Sequence, residues 1–216
     1  MVTGSRSKKT IVYENLKKRI IHHSLKAGEP LNEAVLSKEL GISKTPIREA
    51  LQQLEKEGFI ENIPGKGAFV SRISVQDIRE IFEIREILEC EVIRRVVLKG
   101  ILNKSDAEAV RRKFESSEAE GNRNAKSHFK AGHQIHTFIF EAFGNKRLLE
   151  YYKRLQDHIE RLRLYFFGQD YQERSEESLR EHLEILDALI AQDPQRAEKA
   201  IRDHLQNSLE YQRKII

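Results

Sequence analysis

The stretch LGISKTPIREALQQLEKEGFIENIPGKGAFV, Leu40 to Val70, constrains the fold more than any other part of the chain. Pro46 has no backbone N–H and fits only the first turn of a helix. Ser43 or Thr45 stands where a cap for that turn is needed. Ile47, Ala50, Leu51 and Leu54 then recur at helical spacing and define an inner face. Lys44, Arg48 and Gln52 follow each other at i, i+4 and i+8 on the outer face, and the helix is expected to run to Gly58. Behind it, FIENIPGKGAFVSRI alternates as a hairpin does, with Pro64, Gly65, Lys66 and Gly67 at the tip.

Two further helices precede this unit. Val12, Leu16 and Ile20 mark the first, from Thr10 to near Ser24. LKAGEPLNE reads as a loop; Asn32 is placed to cap a short second helix through Leu40, which Gly41 stops. Three helices followed by two short strands make a winged helix-turn-helix over residues 10–73, preceded by a disordered basic tail over residues 1–9.

Residues 74–216 read as all α. Ser74 with Asp77, and Ser105 with Glu108, form capping boxes at the heads of two helices. EGNRN breaks the second near Gly121. A helix from about Ala125 stops at Gly144 and Asn145, and another runs from Lys146 to Phe167. Ser175 caps a helix reaching Ala191, and Asp193 caps a last one that begins at Pro194. The expected fold class is mainly α: a winged helix-turn-helix followed by an all-α antiparallel helical bundle.

Charge separates the two parts. Residues 1–73 hold 13 Lys and Arg against 8 Asp and Glu, whereas residues 74–216 hold 25 against 26. The whole positive excess lies in the first third, where a polyanion is the expected partner, with chance scatter of a few lysines as the alternative. No apolar run is long enough to span a membrane, no signal-peptide pattern opens the chain, and the single cysteine, Cys90, excludes an intrachain disulfide. A cytoplasmic protein is expected.

A helix-turn-helix lays its second helix in the major groove with the N-terminal residues at the base edges. Lys44, Thr45 and Arg48 occupy that end here. Arginine can donate two parallel hydrogen bonds to guanine O6 and N7, and Lys and Thr can bind phosphate or base. At the wing tip, Gly65 and Gly67 allow close backbone approach and Lys66 supplies charge. Either basic residue alone reads equally as a solvated face; the combination with the cap, the proline and the wing points to double-stranded DNA.

In the helical half, His182 and His204 lie 11 residues to either side of Asp193. In an antiparallel hairpin, residues equidistant from the turn lie at the same height, so the two imidazoles can face each other. His133 and His136, three apart, share one face of another helix. Such a set suits a borderline transition metal such as Zn²⁺; the alternative is ordinary helix histidines, some partly buried.

The phrase LSKELGISKTPIREALQQLEKEGFIENIPGKGAFV resembles the GntR family of bacterial transcription regulators, and the likeness extends over residues 10–73. It implies operator contacts by Lys44 and Arg48, with Thr45 beside them and Gly65 and Gly67 in the minor groove. Some members carry an arginine at the start of the second helix, where this chain has Ala34. The phrases IREIFEIREILECEVIR, HQIHTFIFEAFGNKRLLEYY and LREHLEILDALIAQDPQRAEKAIRDHLQNSLEY resemble the FCD effector domain of one branch of that family. The resemblance implies a divalent metal, zinc by donor type, on His136, His182 and His204. It also implies an aspartate four residues before the first histidine, where this chain has Gly132. Arg85 and His133 are the implied effector contacts for a small carboxylate, with a surface salt bridge to Glu89 as the alternative role of Arg85. The expectation is a ligand-responsive regulator, a repressor acting as a homodimer on a palindromic operator. A metal-sensing regulator and a metal-dependent enzyme using the three histidines are the competing readings.

Overall fold

The computed structural model describes residues 7–119, 125–166 and 171–215. They divide into two compact units. One reaches Ser74 and takes in Glu160–Tyr165; the other comprises Val75–Ile159 and Phe166–Ile216.

The first unit opens with α1 (Lys8–Ile21), which starts two residues earlier than the periodicity suggests because Ser7 caps it, its side chain accepting from Thr10 N. Helix formation from Lys8 therefore replaces the end of the expected disordered tail; residues 1–6 lie outside the described residues. Next come β1 (Pro30–Leu31), α2 (Glu33–Leu40), α3 (Lys44–Lys56), β2 (Ile60–Ile63) and β3 (Gly67–Val70). Asn32 Oδ1 caps α2, accepting from Ala34 N and Val35 N. Ser43 holds the N-cap position of α3 without a side-chain cap bond. The ribbon has a third strand: β1 pairs antiparallel with β3, Pro30 opposite Phe69 and Leu31 opposite Ala68. Two residues inside an apparent loop carry no alternation to reveal this pairing. Val12, Leu16, Ile20, Ile47, Leu54 and Phe59 are fully buried in the unit's core, and each buried aliphatic side chain contributes about 1.5–3 kcal/mol.

The second unit holds α4 (Val75–Leu98), α5 (Lys104–Ala119), α6 (Ala125–Phe143), α7 (Lys146–Tyr165), α8 (Tyr171–Ala191) and α9 (Pro194–Ile215). The break expected at EGNRN falls largely on residues 120–124, outside the described residues. Two caps differ from expectation. Asn103, not Ser105, heads α5: its Oδ1 accepts from Ser105 N and its carbonyl accepts from Asp106 N. Ser175 lies inside α8, which begins at Tyr171. Asp193 does cap α9, its Oδ1 accepting from Gln195 N and Arg196 N. Helix α9 packs on α4 and α8, and α6 also packs on α4 and α8. Ile93, Val96, Ile135, Ile185, Leu189 and Ile201 fill the space between them. A mainly α fold results, a winged helix-turn-helix followed by a helical bundle. Among the described residues, no helix is long and apolar enough to cross a membrane.

Candidate functional site

On α3 the apolar positions turn inward, leaving Lys44, Thr45, Arg48 and Gln52 exposed. Lys44, Arg48 and Gln52, with Lys66 and Gly67 of the wing, line one open groove of about 570 Å³. Gly65 and Gly67 have φ of 76° and 95°, a left-handed backbone that side-chain-bearing residues adopt at a cost. The wing turn therefore needs both glycines. Ala34 lines the same groove. Arg48 carries a partner that its helix alone does not announce. Its Nε donates to Glu33 Oε1 (2.9 Å) and its Nη2 to Glu33 Oε2 (2.8 Å). Bonding to Arg48, against a small opposing effect of burial, holds the Glu33 carboxyl below its ordinary range.

In the helical unit, His136 on α6, His182 on α8 and His204 on α9 converge, all buried. One nitrogen from each falls within 4.8 Å of the others. The expected facing of His182 and His204 across the α8–α9 hairpin is observed, with ring centroids 4.4 Å apart. Each Nδ1 faces an oxygen on the far side. His182 Nδ1 donates to the Ser178 carbonyl (2.7 Å), His204 Nδ1 to Glu181 Oε2 (2.8 Å), and His136 Nδ1 lies 2.6 Å from Glu89 Oε2. A donating Nδ1 fixes the tautomer that leaves Nε2 as an electron-pair donor, the outer-sphere arrangement typical of metal-ligating histidine. His136 Nε2 and His182 Nε2 then stand 3.3 Å apart. Two lone pairs at that distance repel unless a cation or a shared proton lies between them. Zinc at about 2.0–2.1 Å from each imidazole nitrogen, in tetrahedral geometry, separates its ligands by roughly 3.3–3.4 Å. The three imidazoles therefore fit a divalent metal.

Each carboxylate behind a histidine is itself held by an arginine. Glu181 receives Arg174 Nη1 and Nη2 at 2.9 and 2.7 Å. Glu89, fully buried, receives Arg85 Nε (2.7 Å) and the Tyr152 hydroxyl (3.0 Å) on Oε1. Burial pushes the Glu89 carboxyl up, but the Arg85 guanidinium and His136 outweigh it and hold the group well below the carboxylate range. Arg85 does pair with Glu89, yet at 1% exposure; a surface salt bridge is not what forms. The pair falls in phase with the buried stripe Ile78, Phe82, Ile93 and Val96 of α4, and that phase was the available signal. Sequence reasoning does not single out Glu181, Arg174 or Tyr152, and it offers Glu89 only as a surface partner of Arg85. His133 lies half-buried on α6, outside the converging set.

Gly132, at the position where the resemblance implies an aspartate, packs against the His182 ring. A Cβ there would fall 2.7 Å from His182 Cε1 and 2.9 Å from Nε2. The imidazole occupies the space that a side chain at 132 would enter, so this chain supplies three nitrogens and no carboxylate from that position.

A sequence model described as the FCD domain matches residues 80–207, more than half of the chain, and one described as bacterial regulatory proteins of the gntR family matches residues 8–70. The HTH-type transcriptional repressor RspR of Escherichia coli (strain K12) is 27% identical over 205 residues, covering 94% of this chain and 88% of that protein. The Glc operon transcriptional activator of the same organism is 27% identical over 217 residues, covering 90% and 85%. A repressor and an activator are thus equally similar, and similarity does not carry the sign of regulation. Escherichia coli McbR/YncC shares the fold at a TM-score of 0.75 and 20% identity, over 97% of this chain and 99% of that one. The metal-free FCD domain of TM0439 superposes at a TM-score of 0.57 and 21% identity, over 67% of this chain and 97% of that one. The chain belongs to the GntR family of bacterial regulatory proteins, in the branch with an FCD domain, and is a transcription regulator with a DNA-binding winged helix-turn-helix.

Proposed function

We propose that the chain is a repressor that binds a palindromic operator as a homodimer. In this reading Lys44, Thr45 and Arg48 meet the major groove, and the wing enters the minor groove through Gly65 and Gly67, with Lys66 supplying charge. A two-fold symmetric protein matches a two-fold symmetric site. The helical unit holds a divalent cation, zinc by donor type, on His136, His182 and His204, and a small carboxylate effector adds to it.

One observation carries the metal reading: all three Nδ1 atoms face oxygens behind the rings, two as donors and the third 2.6 Å from a carboxylate. Charge supports the acidic effector. Imidazoles bind a metal in their neutral form, and the negative charges of Glu89 and Glu181 are offset by Arg85 and Arg174. A bound divalent ion would keep most of its positive charge and supply a Lewis-acidic anchor for an anionic donor. Arg85 Nη1, buried with no acceptor among the described residues, is a further candidate contact, with His133 one turn from His136. The same carboxylates argue against catalysis. Glu89 and Glu181 are tied to arginine and imidazole, and neither is placed to take a substrate proton.

The test measures affinity of the full-length chain for a duplex it selects from a random pool, with zinc or chelator, and with a panel of mono- and dicarboxylic acids. Weakened binding on acid addition only in the zinc-loaded protein supports the reading. A response to zinc alone makes the chain a metal sensor. DNA affinity unmoved by any acid or metal, or turnover of an acid, refutes it.

A further inference from the structure

The Arg48–Glu33 pair has no use in folding. Arg48 is 61% exposed and Glu33 32%, and ion pairs in that setting contribute little to stability. The pair instead fixes a side chain that would otherwise sample many rotamers in front of the groove. Its form is specific. Glu33 takes the Nε and one Nη2 hydrogen, the side-on edge of the guanidinium. Of the five N–H donors, three remain, two on Nη1 and one on Nη2. One on each nitrogen lies on the end-on edge, which can supply two parallel bonds to guanine O6 and N7; the other Nη1 hydrogen points toward the Cδ side. Glu33 is itself held: it is the first residue of α2, behind the Asn32 cap, where a helix N-terminus favours negative charge.

Resting on the DNA-reading assignment of α3, we propose that Glu33 is a specificity-determining positioning residue. It holds Arg48 with its end-on edge presented for guanine and repels phosphate from the same groove. Both effects act on the difference between affinities. Pre-ordering lowers the cost of the specific contact only. The carboxylate opposes every complex, and only a complex containing the arginine–guanine contact recovers that cost. Neutral Gln at this position removes the charge and weakens the clamp.

The test compares the native full-length chain with Glu33→Gln on two probes at one salt concentration: a duplex selected from a random pool by the native chain, and its scrambled counterpart. The expected result is about tenfold tighter binding to the scrambled duplex with little change on the selected one, lowering the specificity ratio by that factor, within the range of one bidentate base contact. In an Arg48→Ala background, Glu33→Gln leaves the ratio unchanged. Parallel strengthening on both probes would make Glu33 a repelling charge only and overturn the proposal. Parallel weakening would make it structural and overturn it too. A native chain that selects no sequence overturns the DNA-reading assignment, and this proposal with it.

Discussion

Arg48 and Arg85 each donate through Nε to a glutamate, at 2.9 and 2.7 Å, yet one pair is open to solvent and the other is 1% and 0% exposed. The contrast separates the two units by what their charges are for. An exposed arginine keeps donors in hand for DNA while its glutamate still holds it. A buried pair has given up hydration and repays it only while both members stay; Arg85 and Glu89 are therefore fixed, and His136 is fixed with them.

The comparison is broken most severely by Glu89→Ala, which leaves Arg85 buried without its carboxylate. A loss of about 3–5 kcal/mol is expected, read from chemical denaturation. Glu33→Ala is expected to leave the unfolding midpoint where it is, and equal losses in the two variants would erase the distinction. Arg48→Ala reverses the pattern: helix content and midpoint hold, while affinity for the selected duplex falls by roughly a hundredfold, as loss of the contact in both half-sites implies. Fluorescence anisotropy reads it.

Gly132→Ala sharpens the account of the bundle. A methyl 2.7 Å from His182 Cε1 pushes the ring away from His136, and zinc affinity is expected to fall about tenfold, the scale of a displaced outer-sphere contact. Tighter zinc binding by Gly132→Asp without loss of stability would instead show that the ring yields to a fourth ligand.

The smallest effect concerns acid stability of the first unit. Glu57 accepts from the Tyr13 hydroxyl (2.7 Å) and Lys17 Nζ (2.9 Å). Burial raises its carboxyl, but bonding to Lys17 and Tyr13 outweighs this and leaves it below the ordinary 4.5. A depressed carboxylate contributes stability above its unfolded value and loses it as pH falls through the folded one. That contribution should fade as pH falls below 4.5, with a shallower acid slope in Glu57→Gln.

What could be read from sequence follows from the same contrast. Lys44, Arg48 and the wing glycines were legible because surface function leaves its pattern on one helix face and one turn. His182 and His204 were legible because Asp193 marks a hairpin midpoint. Glu181 is not legible, since its arginine lies seven residues away and its histidine twenty-three; Glu89 reads only as a surface partner, since an Arg–Glu pair at i, i+4 reads alike whether water or a core surrounds it. Only the phase against Phe82 and Ile93 separates the cases. Strand β1 escaped because two residues have no period. The cap of α5 was assigned to Ser105 because Ser with Glu three residues on resembles a capping box, whereas Asn103 reaches the first free N–H groups.

In the proposed site three imidazoles, each with Nδ1 facing an oxygen behind the ring, hold one divalent ion. Calorimetric zinc titration of chelator-stripped full-length protein tests it most directly, beside His182→Ala and His204→Ala. One ion per chain in the native protein, with both variants losing that uptake while remaining folded, is the predicted result. No uptake by the native chain, or uptake unchanged in both variants, would contradict it.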